Sequence, residues 1–110
     1  GDFLAVIADQ SSADFARAAR RYGGEVGLSV HDLVLTDFVK AQQQPLHRSD
    51  HVSFWARNVP AVLLTDTGQF RNPHIHCREG SDATDTLDYA FATRVAQSAV
   101  AVVAEAAQIR

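Results

Sequence analysis

The stretch Phe3-Leu4-Ala5-Val6-Ile7-Ala8 is apolar at every position. A short apolar run without alternation is consistent with a strand covered on both faces, in a parallel or mixed sheet. At the other end of the chain, Leu87, Phe91, Val95, Ala99, Val102, Ala106 and Ile109 recur every three or four residues. That spacing puts a broad apolar stripe on one helix. Asp85 is a good cap for its start, and Asp88 in the first turn suits the positive end of the helix dipole.

Between these two elements the pattern continues. Ser11 and Ser12 can cap a helix with Asp14 in its first turn, and Phe15, Ala19 and Tyr22 share one face. Gly23-Gly24 closes that helix, and Arg17, Arg20 and Arg21 form its solvated side. Leu33-Val34-Leu35 reads as a short strand, and residues 41–45 (AQQQP) as an exposed loop. Ser49 or Asp50 caps a short helix through Arg57, with Val52, Trp55 and Ala56 as its apolar side. Asn58-Val59-Pro60 breaks that helix, and Pro60-Ala61-Val62-Leu63-Leu64-Thr65 is a buried strand. The order β-α-β-α-β-loop-α predicts an α/β fold, a three-layer α/β/α sandwich, in a single domain over residues 1–110.

Composition narrows the function classes. The apolar fraction is 46% and the net charge −3, with both signs scattered, so neither nucleic acid nor an anionic membrane is suggested as a partner. No run of about 18 apolar residues predicts a membrane span. The single cysteine, Cys77, excludes an internal disulfide. The chain begins Gly-Asp-Phe and has no methionine, so the expectation is that sequence upstream is missing.

Chemistry gathers in residues 48–88. His51, His74 and His76 lie there with Asp50, Asp66, Asp82, Asp85 and Asp88. His76 is the leading candidate metal ligand, because an imidazole on a loop at a strand end can reach a metal. Asp82 or Asp85 could fix its tautomer. The plainer alternative is a loop histidine that faces solvent or bonds to backbone. His74 and His76 would share one side if the segment were extended. His47 and His51 have helical spacing but no glutamate between them to make a zincin motif. Asp50 is equally a helix N-cap or a group orienting a ligand. Ser49-Asp50-His51 holds the residue types of a triad, but adjacent side chains diverge too far to form one. Nothing marks Cys77 as a nucleophile.

Taken together, Ser49-Asp50-His51-x-x-Phe54, Val59-Pro60-Ala61, Asn72-Pro73-x-Ile75-His76, Ser81-Asp82 and Asp85-Thr86-Leu87-Asp88 resemble one family. It is the co-catalytic zinc aminopeptidases, the bacterial leucyl aminopeptidases with glutaminyl cyclase as a relative, and the likeness is to their C-terminal half. The opening Gly1-Asp2-Phe3-Leu4-Ala5-Val6-Ile7 is similar to a strand of the same catalytic domain. The resemblance implies a zinc-exopeptidase-like sandwich that hydrolyses peptide substrates from the N-terminus. It implies two zinc ions held by two histidines, two single-metal carboxylates and a bridging aspartate, with a glutamate as general base. On this chain it implies that His76 is the last zinc ligand in chain order, with Asp50, His51 and Asp82 supporting the site.

The other ligands belong to the family's earlier half, and this sequence contains no His-x-Asp and no Glu-Glu. Gly80 stands where the family usually has its loop aspartate, and Asp82 follows two residues later. One imidazole cannot hold two dications, so the chain by itself is expected to contain no catalytic residue and to be silent. Half a sheet would also leave an open edge, which makes a homo-oligomer a reasonable expectation. The competing expectation is a non-catalytic α/β binding or interaction module.

Overall fold

The computed structural model describes residues 2–42 and 48–108, apart from the side chain of Gln69. The apolar run becomes β1 (Leu4–Asp9), buried along its whole length. It is followed by a 3-10 turn (Gln10–Ser12), α1 (Ala13–Glu25), β2 (Val30–Leu35), α2 (Asp37–Gln42), α3 (His51–Trp55) and β3 (Val62–Thr65). A single turn α4 (Gly68–Arg71), two 3-10 turns (Ile75–Cys77 and Thr84–Thr86) and the long α5 (Tyr89–Ala106) complete the order. The sheet is β2-β1-β3. β2 runs parallel to β1, pairing Leu4 with Val30 and Asp9 with Leu35. β3 runs antiparallel, pairing Ala5 with Thr65 and Ala8 with Val62.

Side-chain alternation along β1 builds two cores. Leu4, Val6 and Ala8 meet Ala16 and Ala19 of α1 and Phe91 of α5, with Val95 and Val102 packed alongside. Ala5 and Ile7 face the other way, toward Leu35 and Trp55, with Val39 and Leu63 beside them. Burial of each such Leu, Val or Phe side chain contributes about 1.5–3 kcal/mol. Two long helices cover the first face, whereas among the described residues the second carries only the short α2 and α3. The fold is therefore an α/β unit around a three-stranded mixed sheet, coarser than the expected three layers.

Several local expectations change. Helix α1 runs through Gly23-Gly24 and ends near Gly27, whose φ of 75° is costly for any residue with a Cβ. Gly23 serves contact instead: a Cβ there would sit 2.4 Å from Val30 Cγ2. Nearby, the buried Ser98 of α5 donates to the carbonyl of Ala19 at 3.3 Å, so small residues let α1 and α5 cross closely. Ser12 makes no side-chain bond to the start of α1. Ala41 and Gln42 end α2 rather than opening a loop, while Gln43, Gln44 and Pro45 lie outside the described residues. The cap of α5 is Asp88, which accepts from Phe91 N at 2.8 Å; Asp85 sits in the preceding 3-10 turn. Leu87 falls before the helix and is exposed, and Ile109 lies outside the described residues.

Candidate functional site

The antiparallel direction of β3 decides where the candidate residues go. Its carboxyl end, Thr65, lies beside Ala5 at the start of β1. The loop carrying His74, His76 and Asp82 therefore leaves from the amino-terminal end of the parallel pair, where Arg71 binds Asp2 at 2.6 Å and stacks over the Phe3 ring. Polar cavity walls at this end come from Asp66, Arg71, Asn72, Thr86 and Asp88, around a space of about 210 Å³.

The His76 turn is tightly specified by backbone and short side-chain bonds. Asn72 Oδ1 accepts from His74 N at 2.9 Å, Cys77 N donates to His74 O at 2.9 Å, and Glu79 N donates to Pro73 O at 3.0 Å. His76 (φ 53°) and Cys77 (φ 56°) are consecutive left-handed residues, neither of them glycine. Each such position costs about 1–3 kcal/mol and persists only where its surroundings impose it. Asp82 supplies part of that imposition, accepting from His76 N at 3.0 Å while the His76 residue stays exposed. The expected partnership thus involves Asp82 rather than Asp85, and it grips the backbone amide rather than the ring. Gly80 also has a reason: a Cβ there would lie 2.6 Å from Nδ1 of His74. His74 is helical in backbone and half-buried, so His74 and His76 do not form the extended pair that a strand would give.

Asp50 and His51 belong elsewhere. Asp50 is the exposed residue before α3, without a side-chain capping bond. His51 is buried edge-on against Trp55, with ring centroids 4.5 Å apart. Trp55 in turn lies under the Lys40 ammonium, which binds Asp9 Oδ2 at 3.1 Å at the carboxyl end of β1. The fold thus joins His76 with Asp82 at one end of the sheet, and places His51 with Trp55 at the other. His47 lies outside the described residues.

A polar group the sequence reading missed occupies that second end. Asp9 Oδ1 accepts from Ser12 Oγ at 2.6 Å, Ser11 Oγ at 2.7 Å and Ser12 N at 3.0 Å. Burial alone would push its carboxyl up, but the bonds from Ser12, Ser11 and Lys40 outweigh that and hold it below the usual aspartate range. An aspartate at the end of an apolar strand followed by two serines was the available signal; Lys40, 31 residues on, had none.

The donor set can be tested for zinc. Among the described residues no group of three or more His, Cys, Asp or Glu side chains is placed to hold a metal ion. His76 and Asp82 alone do not fit a dinuclear centre, which needs several anionic donors. Among the described residues no helix is long and apolar enough to cross a membrane.

No protein-family model matches the chain, and no solved structure matches it. It is similar to the uncharacterized protein YfbL of Escherichia coli (strain K12), 29% identical over 90 residues. The match covers 81% of this chain and 26% of that protein, so the chain spans about a quarter of its relative's length. These findings overturn the assignment to the co-catalytic zinc aminopeptidases: no family model supports it, and the relative carries no such name.

Proposed function

We propose that residues 1–110 are one part of a longer zinc-dependent aminopeptidase, hydrolysing peptide bonds from the N-terminus and catalytically silent as this piece alone. The observation that carries the reading is the His76 turn. Two adjacent non-glycine residues are held left-handed, and Asp82 pins the backbone of an imidazole that remains exposed. Strain of this kind gathers at functional sites, because a rigid backbone fixes where a ligand atom points. In this reading His76 is one metal ligand, Asp82 positions its loop, and the remaining donors and the general base come from polypeptide outside these residues. In this reading His51 supports the helix before β3, through its packing on Trp55, and Asp50 leads into that helix; neither holds the metal. The complete domain is a three-layer α/β/α sandwich, with the second sheet face covered by that same polypeptide.

The test uses the longer protein and the isolated chain together. Zinc content and leucine p-nitroanilide cleavage are measured on both, and His76→Ala is made in the longer one. The expected result is zinc with turnover in the longer protein, a loss of at least ~100-fold with His76→Ala, and neither zinc nor turnover in residues 1–110. Unaltered turnover in the variant removes His76 from the site. Absence of both zinc and hydrolysis from the longer protein leaves the non-catalytic binding module as the better account.

A further inference from the structure

The two outer strands of the sheet are treated differently. On β2 the edge carries His31 and Asp32, and Asp32 is bonded by Arg20 at 3.0 Å. Charges of this kind protect an edge from strand addition. β3 carries none: its four residues are Val62, Leu63, Leu64 and Thr65. Alongside it, α5 leaves two openings against the sheet, the first apolar and the second apolar apart from Thr65, Asp66 and Asp88. One of about 490 Å³ lies between Phe15, Val62 and Val103, and one of about 410 Å³ between Leu64, Tyr89 and Ala96.

Helix α5 itself has a second apolar stripe. Phe91, Val95 and Val102 face the core. Tyr89, Val100 and Val103 do not, and are 60%, 67% and 64% exposed. Their spacing, with Ala92 and Ala96 between them, is that of one helix face. An uncharged strand edge, the openings beside it and an uncovered helix stripe thus lie along the same side of the fold.

We infer that this side is a docking surface for another part of the same longer polypeptide: a β-strand added to the β3 edge, with an adjoining apolar helix laid against Tyr89, Val100 and Val103. The choice of occupant rests on length, since the match to this chain takes up only 26% of the relative and leaves ample chain to supply a strand and a helix. Strand addition gives main-chain hydrogen bonds, and alternate side chains of the added strand would enter the two openings. The inference rests on the reading of residues 1–110 as one part of a larger protein, but not on zinc.

Hydrogen exchange of the β3 amides and thermal melting are compared between residues 1–110 and the longer polypeptide. The outward-pointing β3 amides are expected to exchange at least ~10-fold more slowly in the longer protein. Val103→Lys is expected to lower its melting temperature while leaving the isolated chain unchanged, and Gln97→Lys, elsewhere on α5, to change neither. Equal exchange in both forms, or a Val103→Lys variant of the longer protein that melts like its parent, overturns the inference. So does an isolated chain that forms a dimer dissociated by Val103→Lys, since a second copy would then be the occupant. A longer protein that protects β3 but holds no zinc would sink the peptidase reading and leave this surface standing.

Discussion

Replacing Ser12 by alanine tests how β1 and β3 are tied together. Its side chain is fully buried, donates to Asp9 Oδ1 at 2.6 Å and accepts from Ala61 N at 2.9 Å. One hydroxyl therefore links the end of β1 to the approach to β3, 49 residues later. Losing a hydrogen bond to a charged group costs about 1.5–3 kcal/mol, and a buried amide left without a partner costs about 1–3 kcal/mol. The two losses share one atom and will not add in full, so about 2–4 kcal/mol is expected. Against a total of roughly 5–15 kcal/mol for a domain, that is a large share. With a urea slope of about 1–2 kcal/mol/M, the midpoint should fall by at least ~1 M with the slope unchanged. Ser11→Ala is the control. Ser11 donates to the same carboxylate oxygen at 2.7 Å but is exposed, so its loss should cost under ~1 kcal/mol. A Ser12→Ala midpoint within ~0.3 M of the parent would refute the view that this hydroxyl bridges the strands.

Further outcomes follow from other parts of the structure. Gly23→Ala should destabilise by about 1–3 kcal/mol, since the new methyl meets Val30 Cγ2 at 2.4 Å, whereas Gly24→Ala meets nothing within 4 Å and should gain about 0.5–1 kcal/mol; urea melts of the pair decide it. Asp88→Ala should lower the melting temperature and Asp85→Ala should not, because only Asp88 accepts from the first turn of α5. Stability should fall on acidification. Folding depresses the carboxyls of Asp9 and of Glu105, the latter through bonds from Tyr22 and Arg21. A group depressed in the folded state adds stability above its unfolded value of about 4, and that contribution is lost as pH drops through the folded value. Melting temperatures between pH 6 and 3 should therefore decline, and less steeply in Ser12→Ala; a flat profile in the parent contradicts this.

Local pattern was enough for β1 and for the body of α5. An unbroken apolar run and a stripe of period 3.6 each report a burial that neighbouring residues share, so they are written in consecutive letters. Boundaries were less legible. Asp85 and Asp88 are equally good caps as letters, and only the backbone turn at Thr84–Thr86 hands the role to Asp88. Gly23-Gly24 looked like a helix end because glycine often is one, yet Gly23 is there for the approach of Val30 from another strand.

For the candidate site, sequence determined which residues were available: an imidazole at position 76, an aspartate six residues on, and neither a His-x-Asp nor a Glu-Glu pair to complete a dinuclear centre. Tertiary structure decided their company. β3 runs antiparallel to β1, which carries His76 and Asp82 to one end of the sheet and leaves His51 against Trp55 at the other. Strand direction and the meeting of Asp9 with Lys40 depend on contacts between distant segments, which are set by how whole faces pack and not by any residue's neighbours in the chain.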